Sequence, residues 1–228
     1  MRALQAAWDE IGGDSGVRVV VLTAPGRLFC TGHDLNESID AMDDPQSKLA
    51  ANRECSAMMQ SMLKLPQPII AKVHGVATAA GCQLMATCDL ALASTAARFA
   101  TPGVNIGLWC LSPQVAISRT IAPKHAMQML LTGKLQDAET ALRFGLINEA
   151  VAPDALDARV TELALEIASK SAHSLAMGKR SFYRQLTMPI DEAYEYVDEV
   201  IVRAIQSEDA KEGISAFLDK RKPAWKGR

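Results

Sequence analysis

The spacing of apolar residues predicts a helix, a strand and a second helix in the first 65 residues. In residues 3–12, Leu4, Trp8 and Ile11 recur at the 3.6-residue period of one helix face. The next apolar run, residues 17–23, is continuous and rich in valine, which is typical of a strand buried on both faces. Helical spacing returns over residues 47–65 and ends where two prolines follow.

A strand, a turn of small residues and a helix start follow one another between residues 69 and 93. Residues 69–73 and 90–93 have strand character, and a short helix is predicted to begin near Ala79. Free backbone N–H groups at a helix start stabilise negative charge. Small side chains, here Ala77, Ala80 and Gly81 among them, let a ligand lie directly against the backbone. The stretch predicts an oxyanion hole, or else a tight turn whose small residues serve packing only.

The second half of the chain changes from mixed to helical character. Residues 98–106 are strand-like but interrupted by Pro102 and Gly103. Helices are predicted to begin at Ser112 or Pro113 and at residues 123, 137, 153, 174, 191 and 209. No strand signal remains beyond about residue 171. The pattern therefore predicts an α/β unit over residues 1–171 and a helical region over residues 172–228.

Composition and charge exclude several classes of protein. The 228 residues are 49% hydrophobic and 22% charged, which is ordinary for a globular protein with a large core. A net charge of −2 argues against a nucleic-acid partner. Five cysteines, without zinc-ligand spacing, predict reduced thiols and no metal site. No apolar segment is long enough for a membrane span, and no secretory signal is visible.

Six sequence blocks, in order, resemble the enoyl-CoA hydratase/isomerase family, also called the crotonase superfamily. The six blocks are residues 29–35, 68–84, 88–90, 99–107, 141–148 and 213–223. The first of them, residues 29–35, is similar to the family's F-[SC]-[AST]-G-x-D-[LI] loop. The resemblance implies a crotonase-like α/β spiral of repeated ββα units with a C-terminal helical trimerisation region. A homotrimer or a dimer of trimers is then expected. Two blocks look most like one branch of the family.

The resemblance also implies an acyl-CoA ligand whose carbonyl oxygen is held by two backbone N–H groups, those of His33 and Ala80. Coenzyme A enters as part of the substrate, and no other cofactor is implied. The implied substrate and coenzyme A contacts are Cys30, Thr31, Gly32, Asp34, Leu35, Thr78, Ala79, Gly81, Pro102, Phe217 and Lys220. Ala79 and Ala80 stand where the family usually has glycine. We therefore expect that neither has a positive φ, or that the site is slightly reshaped.

The acids that hydrate an enoyl thioester are missing from the matching positions. The family uses two glutamates, and the corresponding residues here are Gln83 and Gly103. An amide can orient a water but cannot take its proton at neutral pH. Some isomerases of the family carry an acid farther along, where this chain has Leu111. No carboxylate occurs anywhere in residues 90–136. Ordinary hydration is therefore not expected.

Other polar residues leave alternatives open. His33 is either a catalytic base or only the source of an N–H group. Asp34 either hydrogen-bonds its own loop or takes part in catalysis, and Asp89 is expected to satisfy backbone groups at a strand start. Cys82 and Cys110 are nucleophiles or buried inert thiols.

At the C-terminus, Phe217 and Lys220 either reach coenzyme A, as the resemblance implies, or belong to a frayed basic tail. Three functions remain open: acyl-CoA binding with enolate stabilisation, another thioester reaction such as hydrolysis, isomerisation or decarboxylation, and a structural or regulatory subunit. The expected location is the cytoplasm, or the mitochondrion if the source is eukaryotic, with no targeting segment visible.

Overall fold

The computed structural model describes residues 1–40 and 44–228. The helices are α1 Arg2–Gly13, α2 Leu35–Asp40, α3 Pro45–Lys64, α4 Ala80–Thr87, α5 Leu111–Thr120, α6 Pro123–Thr132, α7 Ala138–Phe144, α8 Leu156–Ala168, α9 Ala172–Gln185, α10 Ile190–Gln206 and α11 Glu208–Leu218. The strands are β1 Val20–Leu22, β2 Ile69–Val73, β3 Val76–Thr78, β4 Leu90–Ser94, β5 Arg98–Ala100, β6 Gln136–Asp137 and β7 Glu149–Val151. A 3-10 turn, Pro102–Ile106, follows β5. None of the helices within these ranges is both long and apolar enough to cross a membrane.

The strands form two sheets, and the chain passes back and forth between them. The first is fully parallel, in the order β1-β2-β4-β7, and the second has the order β3-β5-β6 with β3 and β5 parallel. In the two middle turns of the chain, a strand of the first sheet, a strand of the second sheet and then a helix follow one another: β2, β3 and α4, and then β4, β5 and, after the 3-10 turn, α5. In the earliest turn an isolated parallel bridge between Cys30 and Ala77 takes the place of a second-sheet strand. The predicted α/β spiral of ββα units is confirmed.

Strand β2 is buried on both faces, which explains its continuous apolar sequence. Ile69 and Val73 lie in the main core, which is filled by α1, α3, α4 and the second sheet. Ile70 points the other way, into a smaller cluster with Leu156 and Val160 of α8. Successive side chains of a strand point to opposite faces of the sheet. The five residues of β2 therefore supply apolar side chains to the clusters on both faces, which requires a continuous apolar sequence. The sheet is thereby covered on both sides.

Asp89 joins the spiral to the C-terminal helices. Its carboxylate accepts the backbone N–H of Ile69 at 2.7 Å, as the sequence predicts for a residue at a strand start. It also accepts the Nζ of Lys179 at 2.7 Å and the hydroxyl of Tyr183 at 2.8 Å, both from α9. Burial lowers the pKa of Lys179, and the charge of Asp89 opposes that shift. The two α9 contacts join segments about 90 residues apart in the chain, so local patterns do not reveal them.

The last residues of the chain are folded back onto α11, so the frayed-tail alternative is wrong. Asp209, which is 1% exposed, accepts the backbone N–H groups of Lys226 and Gly227 and the hydroxyl of Ser171. The guanidinium of Arg221 pairs with both carboxylate oxygens of Glu212, at 2.6 and 2.9 Å. Trp225 donates its Nε1–H to the carbonyl of Ser169 at 2.7 Å and packs over Gly213.

This attachment of the tail is expected to weaken in acid. Burial raises the pKa of Asp209, but its hydrogen bonds lower the pKa more, so the net shift is downward. The ion pair with Arg221 lowers the pKa of Glu212 to about 2. Carboxylates with lowered folded pKa values stabilise the fold above their unfolded pKa of about 4, and this contribution is lost as the pH falls toward about 2.

Urea unfolding at a series of pH values, followed by fluorescence, measures the effect. We expect the free energy of unfolding of the wild type to fall below about pH 5, and the Asp209→Asn/Glu212→Gln variant to show a flatter profile. Glu139→Gln, which changes an exposed carboxylate on α7, is the matched control. A double variant with the wild-type pH profile would contradict the prediction.

Candidate functional site

The candidate site forms where the loop after β1 lies against β3. The backbone N–H groups of Phe29 and Cys30 both donate to the carbonyl of Val76, at 3.0 and 3.1 Å. In return, the N–H of Thr78 donates to the carbonyl of Cys30 at 2.9 Å. The Thr78 hydroxyl reaches the carbonyl of Thr31 at 3.3 Å. These bonds hold two segments that are nearly 50 residues apart in register, just before α4 begins.

Gly81 allows the two segments to touch. A β-carbon at this position would lie 2.0 Å from the carbonyl oxygen of Cys30 and 2.5 Å from its carbonyl carbon. Only glycine leaves room for such a close backbone approach. Gly81, the second residue of α4, is therefore buried against the Cys30 loop, and its predicted substrate contact stays a prediction.

Two backbone N–H groups next to Gly32 have no hydrogen-bond partner in the part of the chain that the structure describes. α4 begins at Ala80, whose N–H belongs to the first helical turn and has no partner within the helix. The preceding N–H, that of Ala79, is taken by the carbonyl of Ala100 at 3.0 Å. A β-carbon at Gly32 would lie 3.2 Å from the nitrogen of Ala80, and His33 is the next residue. Neither the His33 nor the Ala80 N–H donates to any residue in the described ranges.

Ala79 is strained, and the expectation that its φ is not positive is wrong. It is the residue before α4 and has φ 50° and ψ −123°. L-amino acids rarely adopt this conformation, which lies outside the left-handed helical region, and a residue held in such a sparsely populated region costs about 1–3 kcal/mol. The strain is compatible with a backbone that must turn sharply to leave the Ala80 N–H exposed.

Relief of this strain gives a testable prediction. Ala79→Gly is expected to raise the free energy of unfolding by about 1 kcal/mol, because glycine adopts a positive φ without penalty. Ala80→Gly is the control, since Ala80 is helical, and it is expected to lower stability by about 0.5–1 kcal/mol. Both are measured by urea unfolding. A loss of stability in Ala79→Gly would contradict the backbone geometry at this turn.

The positions that the resemblance assigns to catalytic acids carry no carboxylate in the structure. Gln83 is 5% exposed, and its Oε1 has no hydrogen-bond partner among the residues described. The N–H of Gly103 donates to the Sγ of Cys110 at 3.3 Å, and a β-carbon at Gly103 would lie 3.1 Å from that sulfur. The thiol thus occupies the space beside the absent side chain. Leu111, at the start of α5, is 65% exposed.

The ionisable groups near the turns differ in what they can do. Burial raises the pKa of Cys82 to about 12 and also raises that of Cys110, which favours the inert-thiol alternative. Partial burial and the positive charge of Lys48 lower the pKa of His33, so its imidazole is neutral at pH 7 and the base alternative remains open. Asp34 accepts the N–H of Asn36 at 2.8 Å, as predicted for a side chain that bonds its own loop.

The remaining implied contact residues lie in two regions. Leu35 begins α2 and is 54% exposed, and Pro102 begins the 3-10 turn that follows β5. Phe217 and Lys220 lie at the end of α11, which packs mainly on α9 and α10. Phe217 is 83% exposed. Lys220 has φ 52° and makes no ion pair within the described part of the chain.

Ala100 has a positional role that the sequence patterns did not reveal. Its carbonyl accepts the N–H of Ala79 and leaves the N–H of Ala80 as the next free donor. The contact results from the parallel pairing of β3 with β5. The small-residue turn predicts where a helix begins, but not which of its N–H groups another strand satisfies.

Residues 1–228 match the family model described as Enoyl-CoA hydratase/isomerase. The chain belongs to the enoyl-CoA hydratase/isomerase family. The family resemblance inferred from the six sequence blocks is therefore confirmed. The fold of solved members agrees with the observed spiral.

Two curated members of the family illustrate the similarity. The chain is 41% identical over 212 residues to Enoyl-CoA hydratase domain-containing protein 3, mitochondrial, of Xenopus laevis. The matched region covers 93% of this chain and 72% of the relative. It is 35% identical over 228 residues to (E)-benzylidenesuccinyl-CoA hydratase of Thauera aromatica, and that match covers 98% of this chain and 87% of the relative. The first relative belongs to the branch that the two sequence blocks most resemble, so that narrower resemblance is confirmed as well.

Solved structures of the family superpose closely on this chain. An enoyl-CoA hydratase from Mycobacterium smegmatis has a TM-score of 0.92 at 43% identity, covering 98% of this chain and 87% of that one. The crystal structure of human enoyl Coenzyme A hydratase domain-containing protein 3 has a TM-score of 0.93 at 39% identity, covering 98% and 88%. The spiral and the C-terminal helices are therefore arranged as in these family members.

Proposed function

We propose that this protein binds an acyl-CoA thioester and holds its carbonyl oxygen between the backbone N–H groups of His33 and Ala80. One observation carries the proposal: the N–H groups of His33, next to Gly32 in the chain, and of Ala80, which begins α4 beside Gly32, have no hydrogen-bond partner among residues 1–40 and 44–228. Such preorganised donors stabilise the negative charge that develops on the oxygen as an enolate forms. The names of related family members, which include CoA in their substrates, support a thioester ligand.

The proposed reaction is not ordinary hydration. Gln83 cannot accept a proton from water at neutral pH, and Gly103 offers no side chain. We propose either another reaction through the thioester enolate, such as hydrolysis, isomerisation or decarboxylation, or acyl-CoA binding without turnover. The non-catalytic alternative is favoured by one observation: the group beside Gly103 is the buried thiol of Cys110, whose pKa is raised by burial, so it stays protonated at neutral pH and cannot accept a proton.

Calorimetric titration tests the binding proposal. The wild type is titrated with free coenzyme A, acetyl-CoA and crotonyl-CoA. We expect both thioesters to bind more tightly than free coenzyme A, because only they carry a carbonyl oxygen for the two N–H groups. No binding of any of the three at millimolar concentration would overturn the proposal.

A hydration assay tests the interpretation of the acid positions. Crotonyl-CoA hydration is measured for the wild type and for Gln83→Glu/Gly103→Glu. Because a side chain at Gly103 meets the sulfur of Cys110, the same double variant is also made with Cys110→Ala to provide space. We expect no wild-type hydration above buffer and the highest rate in the triple variant. Strong wild-type hydration would show that the glutamates are dispensable and would overturn the interpretation.

We also propose that the protein assembles as a homotrimer or a dimer of trimers through its C-terminal helices. Apolar side chains on α9, α10 and α11 are more than half exposed in the single chain; they include Phe182, Leu186, Ile190, Tyr194, Ile201, Val202, Ile205, Phe217 and Leu218. Apolar surface of this extent is typical of a subunit interface. In such an assembly Phe217 and Lys220 would contact coenzyme A across the boundary. A monomeric mass by light scattering would contradict this proposal.

For the cellular location, the name of the Xenopus laevis relative includes the word mitochondrial, which supports the mitochondrial alternative for a eukaryotic source. The cytoplasmic alternative applies to a bacterial source. Fractionation of cells that express the native gene, with an antibody against the protein, distinguishes the two.

A further inference from the structure

Two buried oxygen atoms near the start of α4 have no hydrogen-bond partner in the protein. Thr101, which follows β5, is 0% exposed, and Gln83 in α4 is 5% exposed. The Oγ1 of Thr101 and the Oε1 of Gln83 form no hydrogen bond, with each other or with any group in residues 1–40 and 44–228. An unsatisfied buried oxygen loses its bonds to water without replacement, so nearly all such atoms have a partner. These two oxygens therefore require a partner that the surrounding residues do not supply.

Both oxygens belong to segments that are linked through Ala79, the strained residue before α4. The N–H of Ala79 donates to the carbonyl of Ala100, which directly precedes Thr101, at 3.0 Å. The carbonyl of Ala79 accepts the N–H of Gln83 at 3.1 Å. One residue thus connects the backbone of α4 to the end of β5, and each connected segment carries one of the two unsatisfied side chains.

A single water molecule can satisfy both oxygens. The amide oxygen of Gln83 only accepts hydrogen bonds, whereas the hydroxyl of Thr101 both donates and accepts. Water donates to the first and accepts from the second. Buried waters typically make about three hydrogen bonds to groups that would otherwise be unsatisfied. Neither side chain is charged, so the pair matches a neutral ligand rather than an ion.

We propose that Gln83 and Thr101 hold one buried water molecule, and that this water fixes the start of α4 against the end of β5. Both are then positioning residues, because they act on the Ala80 N–H through the turn at Ala79. A residue in a sparsely populated backbone conformation persists only where its surroundings hold it there. The water adds a second link beside the hydrogen bond from Ala79 to Ala100. The inference rests on the proposed acyl-CoA function and adds two residues that keep one oxyanion donor in place.

The thioester preference, which is the affinity for acetyl-CoA divided by that for free coenzyme A, reports the position of the Ala80 N–H. It is measured by calorimetric titration of the full chain for the wild type, Thr101→Val, Gln83→Met and the double variant. Loss of one net hydrogen bond predicts a fall of about 2- to 10-fold in each single variant. Because both residues hold the same water, we expect the double variant to fall no further than the single variants. Thr101→Ser, which keeps the hydroxyl, is expected to retain the wild-type preference.

Thr87→Val is the matched control. Thr87 is also a buried threonine, but its hydroxyl donates to the carbonyl of Gln83 within α4 itself, at 2.7 Å. Its replacement is expected to leave the thioester preference unchanged. An equal fall in Thr87→Val would show that loss of any buried hydroxyl near α4 disturbs the turn, and would overturn the positioning role of Thr101. Effects of Thr101→Val and Gln83→Met that multiply in the double variant would overturn the shared water.

A high-resolution crystal structure of the wild type tests the water directly. We expect one ordered water within about 3.2 Å of both oxygens. A direct hydrogen bond between Gln83 and Thr101, or no density between them, would overturn the inference. If the wild type binds acetyl-CoA no better than free coenzyme A, the proposed function fails, and the crystal structure still decides whether the water is there. If the wild type prefers acetyl-CoA and Thr101→Val keeps that preference, only the positioning role is overturned.

Discussion

Gly81→Ala is expected to destabilise the fold by more than about 3 kcal/mol, beyond the usual cost of overpacking a core. The new methyl group would lie 2.0 Å from the carbonyl oxygen of Cys30. That carbonyl cannot move freely, because it accepts the N–H of Thr78 while the N–H of Cys30 is bound to Val76. The two turns must therefore separate, and the His33 and Ala80 N–H groups separate with them. Urea unfolding measures the loss of stability.

The control for Gly81→Ala is Gly178→Ala in α9. A β-carbon at Gly178 meets no atom within 4 Å, and the residue lies inside a helix. Alanine there is expected to stabilise the protein by about 0.5–1 kcal/mol, since glycine has the greater conformational entropy when unfolded. If both substitutions changed stability by similar amounts, the close contact between Gly81 and Cys30 would not be what holds the turns together.

Gly32→Ala is expected to abolish the preference for thioesters while the protein remains folded. Gly32 has φ +101°, and a methyl group there would lie 3.2 Å from the nitrogen of Ala80 and 3.1 Å from the β-carbon of Ala79. An oxygen that accepts the Ala80 N–H would need the same space, at about 2.9 Å from that nitrogen. Loss of one donor of this kind typically costs about 10²–10³ in rate. We expect acetyl-CoA to bind no better than free coenzyme A, and any thioester turnover to fall at least 100-fold.

Gly26→Ala separates the steric effect from backbone strain. Gly26 also has a positive φ, +80°, but a β-carbon there meets no atom within 4 Å. Both substitutions therefore place an L-residue at a positive φ, which costs about 1–3 kcal/mol. Only Gly32→Ala is expected to remove the affinity difference between acetyl-CoA and free coenzyme A. An unaltered difference in Gly32→Ala would contradict the assignment of the two N–H groups.

Local sequence patterns predicted the secondary structure where the pattern is long or strongly capped. α3, α6 and α10 agree with their helical periodicity, and Gly133 ends α6 in the left-handed conformation, as a glycine cap does. Residues 17–23 form a strand only over Val20–Leu22, and the two-residue strand β6 had no signal of its own. Short strands depend on partners from distant parts of the chain, and so their limits do not follow from local propensity.

The sequence by itself determined which residues stand at the two positions that the family resemblance assigns to glutamates, Gln83 and Gly103, and that no carboxylate occurs over residues 90–136. It also determined that a helix begins after a small-residue turn, because capping and turn preferences act over a few residues. Only the tertiary structure decided that Ala79 has a positive φ, that Gly81 touches the Cys30 carbonyl, and that the Cys110 thiol adjoins Gly103. The turn at Ala79 is held by the carbonyl of Ala100 in another strand, Gly81 touches a segment about 50 residues away, and the contact of Gly103 with Cys110 closes a loop. Such contacts are selected by packing of the whole chain rather than by neighbouring residues.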